Sequence, residues 1–316
     1  MSGNRDDLCL DRSRCLRIRF NGSACCHCQE TCPAVAILLE QGLEIDSKRC
    51  TGCLLCSTVC PTGALELSAD FLACVARLSK VPEPVLGCSR TREQANAWLP
   101  CLGGLSEEHL LYLSRQLAGK LTLNISLCAD CPNSVMLPLL QTRLSNLSEE
   151  GSYRVSTAET ADAVSHSDET VDRRSFFKSF RSSLFQTAAV VISAGTDRTE
   201  LQSDYTGKRL PERRKLLLTI LGKVEEETRY KLEERFFGRI LFNENCTACQ
   251  ACAAACPTGA LSRNREQPDS PPLFIAASCT ACGLCVEFCM EKGVELKGFM
   301  QQSAGYVCSP PETPHP

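Results

Sequence analysis

The sequence predicts an α+β protein in which two similar cysteine-rich modules flank a small α/β domain with a parallel sheet. Cysteine motifs occur as an internal repeat, over residues 15–67 and again over 240–296. Between them, residues 72–144 alternate strand-like and helix-like apolar runs, which is typical of a parallel sheet. We therefore predict a first module (1–71), a small α/β domain (72–148), a linker with amphipathic helices (149–235), a second module (236–300) and a tail (301–316).

The 24 cysteines among 316 residues are the outstanding feature of the composition. Dense C-x₂-C repeats in a chain of this length favour metal or cluster binding by reduced thiolates over disulfides. A net charge of −3 argues against nucleic acid or an anionic membrane as the main partner. The N-terminus lacks the apolar region of a signal peptide, and the longest apolar run, 184–195, is too short to span a bilayer. We expect a cytoplasmic protein with no membrane span.

Three cysteine motifs are complete and share the spacing C-x₂-C-x₂-C-x₃-C. They are Cys50, Cys53, Cys56 and Cys60; Cys246, Cys249, Cys252 and Cys256; and Cys279, Cys282, Cys285 and Cys289. Such a loop lets three thiolates face one iron-sulfur cube while the fourth reaches a neighbouring cube. Because Pro61 and Pro257 follow the fourth cysteine, we expect a helix to begin there, with Met290 making a looser start in the last motif. Structural zinc would use two separated pairs of ligands, so the spacing favours clusters.

These motifs resemble the bacterial ferredoxins that carry two [4Fe-4S] clusters, and the resemblance occurs twice in the chain. It implies two ferredoxin-like modules of pseudo-twofold symmetry, electron transfer, and ligands exchanged between paired motifs. In the second module the implied sets are Cys246, Cys249, Cys252 and Cys289, and Cys279, Cys282, Cys285 and Cys256. In the first module, Cys50, Cys53 and Cys56 would take Cys32.

The first motif is incomplete, because Cys25, Cys28 and Cys32 are preceded by Gly22 where a ligand is expected. Together with Cys60, Cys25 and Cys28 leave one position of a fourth [4Fe-4S] cluster unassigned. We favour Cys15, since a lengthened loop resembles a known ferredoxin variation and the turn residues 21–23 could bring the chain back. The alternating run at 16–20 suggests an extended strand, which then requires a bend. Cys26 and then Cys9 are the alternatives.

The middle region offers a fifth site, because its three predicted strands lead to Cys88, Cys101 and Cys128, with Cys131 close behind. Carboxyl ends of parallel strands converge on one crevice, so these four thiols could meet. Buried free cysteines are the simpler alternative. Between the second and third strands we expect a helix capped by Ser106 and ending near Gly119.

The cysteine positions of this region resemble those of the delta subunit of the methyl-viologen-reducing hydrogenase, through "GC" at 87–88, "CLG" at 101–103 and the closing pair Cys128 and Cys131. The resemblance implies a [2Fe-2S] centre. A zinc site and a redox-active dithiol are the two alternatives. We expect Cys9, Cys74 and Cys308 to be free thiols.

The function these features predict is an iron-sulfur electron-transfer protein, a polyferredoxin that relays electrons between a partner oxidoreductase and an acceptor. No glycine-rich nucleotide motif is present, so partner subunits would supply the substrate chemistry. The alternatives are a maturation protein for a metalloenzyme and a reductase acting at the middle cysteines. The segment "DRRSFFKSF" (172–180) resembles a twin-arginine export signal, but its internal position favours a basic-aromatic helix that docks on a module or a partner.

Overall fold

The computed structural model describes residues 7–148, 153–164 and 207–298. The segment 172–180, the apolar run 184–195 and Cys308 lie outside the described residues. Within the described ranges, no helix has the length and apolar character needed to cross a bilayer.

The N-terminal module consists of two short antiparallel strand pairs and three short helices. Its strands are β1 (Leu8–Leu10), β2 (Ile37–Leu38), β3 (Glu44–Ile45) and β4 (Leu65–Leu67), with β1 paired to β4 and β2 to β3. Its helices are α1 (Leu16–Arg19), α2 (His27–Glu30) and α3 (Leu55–Val59). The run that we predicted as an extended strand is thus the single helical turn α1. A helix rises only about 1.5 Å per residue, so Cys15 stays near the rest of the first motif without a hairpin.

The helices of the cysteine motifs lie before the fourth cysteine and not after it. Cys60 is the C-cap of α3, and the chain then turns into β4. Our prediction of a helix beginning at Pro61 was therefore wrong. Pro is also common just after a helix end, because it cannot continue the helix, and this is its position here.

The middle domain is built on a four-stranded parallel sheet in the order β6–β5–β7–β8. Its strands are β5 (Val85–Cys88), β6 (Ala97–Leu99), β7 (Leu121–Asn124) and β8 (Val155–Ala158). Its helices are α4 (Phe71–Leu78), α5 (Glu107–Gln116) and α6 (Met136–Ser148). The prediction of a parallel sheet is confirmed, and Ser106 caps α5 in a capping box with His109. Helix α5 ends before Gly119, at Gln116.

The sheet has one strand more than we predicted. Strand β8 lies beyond the expected boundary at 148, inside a segment whose Ser, Thr and Glu content suggested a linker. It pairs with β7 along its whole length, from Leu121 opposite Val155 to Asn124 opposite Ala158. The backbone hydrogen bonds of a sheet edge therefore order this polar sequence.

Helices α7 (Glu212–Leu221) and α8 (Glu226–Phe236) form in the region where the sequence predicts one or two amphipathic helices. Leu217, Ile220, Leu232 and Phe236 are buried in the same apolar core as the middle domain and the N-terminal module. These helices thus complete the core of the first two units.

The C-terminal module repeats the design of the first. Its strands are β9 (Arg239–Phe242), β10 (Leu261–Ser262), β11 (Leu273–Phe274) and β12 (Val294–Lys297), with β9 paired to β12 and β10 to β11. Its helices are α9 (Ala251–Ala255) and α10 (Leu284–Glu287). It has a separate apolar core around Ile240, Leu261 and Val294. Short 3₁₀ turns complete the described elements, at Arg12–Arg14, Arg92–Gln94, Leu102–Gly104, Ala161–Ala163 and Ala276–Ser278.

Candidate iron-sulfur sites

All three complete motifs adopt the same unusual backbone turn. The residues before and after the second cysteine have positive φ: Gly52 (71°) and Leu54 (63°), Ala248 (54°) and Gln250 (61°), Ala281 (51°) and Gly283 (77°). A left-handed conformation is rare for residues other than glycine, so its repetition marks a constrained loop. The turn reverses the chain within a few residues, which lets the first three thiols of a motif share one centre.

A second repeated feature lies three residues after the last cysteine of every motif, including the incomplete one. Val35 (φ 47°), Gly63 (69°), Gly259 (77°) and Lys292 (51°) occupy this position. The motif at 25–32 therefore ends like the other three, although it lacks their loop of three cysteines. A β-branched residue such as Val35 is a strong outlier at positive φ.

The thiols of the N-terminal module form two groups. Quartet A consists of Cys15, Cys25, Cys28 and Cys60. Burial, together with the nearby thiols of Cys60 and Cys15, raises the pKa of Cys25 to about 12. Burial also raises the pKa of Cys28, with added contributions from Cys60, Cys25 and Cys15. The structure thus brings Cys15 to the three cysteines that lacked a partner.

Quartet B consists of Cys32, Cys50, Cys53 and Cys56. Burial raises the pKa of Cys53 and of Cys56, and in both cases Cys32 and Cys50 act in the same direction. Cys32 therefore lies with the thiols of the second motif, as Cys60 lies with those of the first. The last cysteine of each motif has crossed to the other group.

The C-terminal module has the same crossed arrangement. Quartet C consists of Cys256, Cys279, Cys282 and Cys285. Quartet D consists of Cys246, Cys249, Cys252 and Cys289. Burial, together with the nearby thiols of Cys279 and Cys256, raises the pKa of Cys285 to about 12. In quartet D, burial raises the pKa of Cys252 to about 11, with contributions from the other three members.

The surroundings of these thiols suit an iron-sulfur cluster. Leu8, Ile37 and Ile45 line an apolar cavity at quartet B, and Ile240, Leu261 and Leu296 line one at quartet C. A thiol that remains neutral in such a place becomes a thiolate when a metal ion binds to it. Because a cubane has an iron atom at each of four corners, its thiolates need not converge on one point. Among the described residues, no group of three or more His, Cys, Asp or Glu side chains is arranged around a single ion.

Several thiols accept hydrogen bonds that sequence reasoning missed. The backbone N–H of Ala36 donates to Cys32 Sγ (3.3 Å), that of Ala281 to Cys279 Sγ (3.4 Å) and that of Gly293 to Cys289 Sγ (3.2 Å). Two hydroxyls of the repeated "CPTG" sequence lie near sulfur, Thr62 at 3.8 Å from Cys60 and Thr258 at 3.7 Å from Cys256. Hydrogen bonds to the sulfur ligands of a cluster favour its reduced state and so raise the reduction potential of the cluster.

The four cysteines of the middle domain also lie together, and we call them the middle quartet (Cys88, Cys101, Cys128 and Cys131). Cys88 is the last residue of β5, while Cys101 and Cys128 follow β6 and β7 after short connections. Burial, together with the nearby thiols of Cys88 and Cys131, raises the pKa of Cys101 to about 11 and that of Cys128 to about 12. The convergence of strand ends that the sequence predicted is present in the structure.

Three polar side chains surround the middle quartet. The Thr91 hydroxyl lies 3.7 Å from Cys88 Sγ, and Asn133 Nδ2 lies 3.9 Å from Cys101 Sγ. The exposed guanidinium of Arg90 hydrogen bonds to the thiol of Cys131, and this contact raises the pKa of Arg90. No sequence motif pointed to these residues, because they reach the thiols only through the fold.

Three described cysteines, Cys9, Cys26 and Cys74, belong to none of the five quartets. Cys9 is exposed on β1. Cys74 is buried on α4, where burial raises its pKa to about 11 and Arg77 and Asp70 are the charged neighbours. Both are free thiols. Cys26 is buried just before α2.

Comparison with known families matches the two modules. A family model described as a 4Fe-4S binding domain matches residues 43–66, and one described as a 4Fe-4S dicluster domain matches residues 240–290. Neither match reaches the motif at 25–32 or the middle domain, so the resemblance of that domain to a hydrogenase delta subunit has no support from these comparisons. No curated protein and no solved structure matches the chain. The chain thus contains 4Fe-4S domains of the ferredoxin type in both cysteine-rich modules, which indicates an iron-sulfur electron-transfer role.

Proposed function

We propose that this protein is an electron-transfer relay that carries four [4Fe-4S] clusters, one in each of quartets A to D, and a fifth centre in the middle quartet. The observation that carries the proposal is the grouping of twenty cysteines into five sets of four. In each set the thiols are drawn from separate parts of the chain, and buried members have raised pKa values. Such a set gives a cluster its four thiolates and an apolar environment.

The middle quartet, quartet B and quartet A form one series of neighbours, and quartets C and D form another. The thiol of Cys56 in quartet B is near enough to Cys28 of quartet A to raise its pKa. In the same way, the thiol of Cys252 in quartet D raises the pKa of Cys285 in quartet C. The thiol of Cys53 in quartet B likewise raises the pKa of Cys101 in the middle quartet. Asn133 links these two quartets. Its side-chain amide donates to Thr51 O in the N-terminal module (3.3 Å) and also faces Cys101 in the middle domain. Electrons can therefore pass between the middle domain and the N-terminal module over a short path.

Both ends of the proposed relay, the middle quartet and quartet D, are open to a partner. Cys249 of quartet D is exposed, and the guanidinium of Arg90 beside Cys131 is also exposed. We propose that one end accepts electrons from a partner oxidoreductase and that the other passes them to an acceptor. The protein's own residues would hold the clusters and tune their potentials through hydrogen bonds and nearby charges.

The middle quartet is proposed to hold a [2Fe-2S] centre. Its cysteines come from three loops, and Thr91, Asn133 and Arg90 supply the polar contacts that thiolate ligands need. When bound, such a centre supplies one-electron chemistry. The positive charge of the exposed Arg90 would favour the more negative, reduced centre and so raise its reduction potential.

The first experiment is iron and acid-labile sulfide analysis of the full chain purified without oxygen. We expect about 18 iron atoms per chain, about 16 from four cubanes and about 2 from the middle centre. The double variant Cys101→Ala, Cys128→Ala should lose about 2 of these. Cys74→Ala is the matched control, because it removes a buried thiol that belongs to no quartet. Zinc in the wild type that disappears with the double variant would replace the [2Fe-2S] assignment, and iron that does not depend on any quartet would refute the relay.

A further inference from the structure

A short segment, residues 208–213, joins the two ferredoxin-type modules beside two particular cysteines, and we call it the clamp segment. On the C-terminal side, Lys208 Nζ donates to Ala253 O (2.7 Å) and the backbone N–H of Arg209 donates to Pro257 O (3.0 Å). Pro257 directly follows Cys256, the member of quartet C that comes from the other motif. The segment thus holds the backbone next to a proposed cluster ligand.

The other half of the clamp segment holds the N-terminal module at the equivalent place. The backbone N–H of Glu212 donates to Glu66 Oε1 (2.7 Å). The guanidinium of Arg213 donates to Thr58 O and to Cys60 O, the latter at 2.9 Å. Cys60 is the crossed member of quartet A. Arg213 also lies 3.8 Å from the buried carboxylate of Glu108, which holds the guanidinium in position.

Direct contacts between the modules occur at the same pair of quartets. The backbone N–H of Ala24, next to Cys25, donates to Glu287 Oε1 (3.3 Å), two residues after Cys285. The rings of Phe20 and Phe288 pack edge to face with their centroids 5.3 Å apart. The hydrogen bond joins the neighbour of Cys25 in quartet A to a side chain two residues from Cys285 in quartet C, so these two quartets lie on opposite sides of the contact.

We propose that electrons cross between the two modules through quartets A and C, and that Arg213 and Glu287 set the potential of the cluster in quartet A from opposite sides. The order of centres is then middle quartet, B, A, C and D. The inference rests on the proposed function, since it requires clusters in these quartets. A one-electron transfer oxidises the cluster in one quartet and reduces that in the next, so no other reactant is needed.

The two charges have opposite effects on the same cluster. A reduced cluster is more negative than an oxidised one, so the Arg213 cation favours the reduced state and the Glu287 carboxylate disfavours it. Arg213 is nearly buried, whereas Glu287 is exposed and its influence is screened by salt. A residue whose only role is to support the fold would not produce opposite shifts of this kind.

The test is a redox titration of the full chain followed by EPR, in which the signal that disappears in Cys25→Ala identifies quartet A. Arg213→Gln is expected to lower the midpoint potential of that signal by about 59 mV. For one electron, this shift is a tenfold decrease in the ratio of reduced to oxidised cluster at a fixed potential. Glu287→Gln is expected to raise it by a smaller amount that shrinks in high salt. Arg213→Lys keeps the charge and should restore most of the shift. Arg229→Gln removes a cation on α8 that lies in an exposed pair with Glu233, and should change nothing.

The adjacency of quartets A and C has its own test. In the fully reduced protein, spin–spin interaction with the cluster in quartet C should broaden the quartet A signal. The double variant Cys279→Ala, Cys282→Ala should therefore narrow that signal, whereas Cys246→Ala, Cys249→Ala in quartet D should not. If Glu287→Gln shifts no N-terminal cluster at low salt, or if loss of the quartet D cluster narrows the quartet A signal instead, the inference is wrong. Absence of clusters from the wild type would instead refute the proposed function.

Discussion

Gly103 and Cys53 meet backbone to backbone, because a Cβ atom on Gly103 would overlap the carbonyl oxygen of Cys53. Gly103 belongs to the 3₁₀ turn after Cys101, and Cys53 belongs to quartet B. This contact between the middle domain and the N-terminal module thus depends on the absence of a side chain at Gly103, at the place where two proposed centres are neighbours.

We expect Gly103→Ala to destabilise the protein by about 1–3 kcal/mol, the usual effect of overpacking a dense interior. It should also weaken the magnetic interaction between the middle centre and the quartet B cluster. Urea unfolding and EPR of the reduced protein would measure the two effects. Gly222→Ala is the control, since a Cβ atom there meets nothing closer than 3.8 Å and should change stability by less than about 0.5 kcal/mol. Equal effects of the two substitutions would contradict the steric argument.

Cys15→Ala should remove or convert the cluster of quartet A, with a loss of about one iron if a three-iron form remains. The reason is that Cys15 lies beside Cys25, Cys28 and Cys60, and helix α1 keeps it there. Iron analysis and the appearance of a three-iron EPR signal would show the change. Cys26→Ala should leave the iron content unaltered. The opposite pair of phenotypes would assign the fourth ligand to Cys26.

Cys256→Ala should damage the cluster of quartet C and leave that of quartet D, although Cys256 belongs to the motif that supplies most of quartet D. The crossed grouping of thiols in both modules is the reason. Comparing the EPR signals of Cys256→Ala and Cys249→Ala would assign each loss to a quartet. Loss of the same signal in both variants would mean that the ligands do not cross.

Val35→Gly should stabilise the protein by about 1 kcal/mol, because strain at positive φ costs about 1–3 kcal/mol and exceeds the entropic cost of glycine. Val35 is 54% exposed, so little apolar burial is lost. The reverse substitution at the equivalent position, Gly63→Val, should destabilise, since Gly63 has a φ of +69° and its Cβ atom would also lie 2.5 Å from Glu66 Oε1. Urea unfolding of both variants measures the difference, and a destabilised Val35→Gly protein would contradict the strain argument.

His109 should make the protein less stable in mild acid. Burial, opposed by the Glu108 carboxylate and assisted by the cations Arg213 and Arg143, lowers the pKa of His109 from 6.5 to about 4. Between pH 6.5 and 4 the unfolded chain therefore binds a proton that the folded protein does not, so stability falls as the pH falls. From pH 6.5 to 5 the expected loss is about 1.6 kcal/mol.

The variant His109→Gln tests this origin, because glutamine at the same position can keep the capping box with Ser106. Urea unfolding at pH 7, 6 and 5 should show a smaller loss of stability for the variant than for the wild type. Parallel pH dependences of the two proteins would assign the acid sensitivity to other groups.

Regular spacing explains which parts of the structure the sequence predicts. The three complete motifs and the strand ends near Cys88, Cys101 and Cys128 are local patterns, and the structure places them as expected. Strand β8 was missed because its polar residues become a strand only when β7 offers hydrogen bonds. The helix predicted after Cys60 was wrong because proline is compatible with the residues following a helix as well as with its first turn.

The contacts between units could not be predicted at all. Arg213 reaches Cys60 O across more than 150 positions of the chain, and nothing in its neighbouring sequence distinguishes it from the other arginines of the chain. The pattern of an amphipathic helix indicates which face is buried, but it does not identify the unit that covers that face.

The late position of the clamp segment along the chain has a consequence for biosynthesis. On the proposed ligand sets, quartets A and B can be filled as soon as Cys60 has left the ribosome. The clamp segment follows roughly 150 residues later, about 8–30 s at ordinary rates of translation. During that interval the face of quartet A that later meets quartet C is uncovered, so a nascent chain would be most sensitive to oxygen before its second module is made.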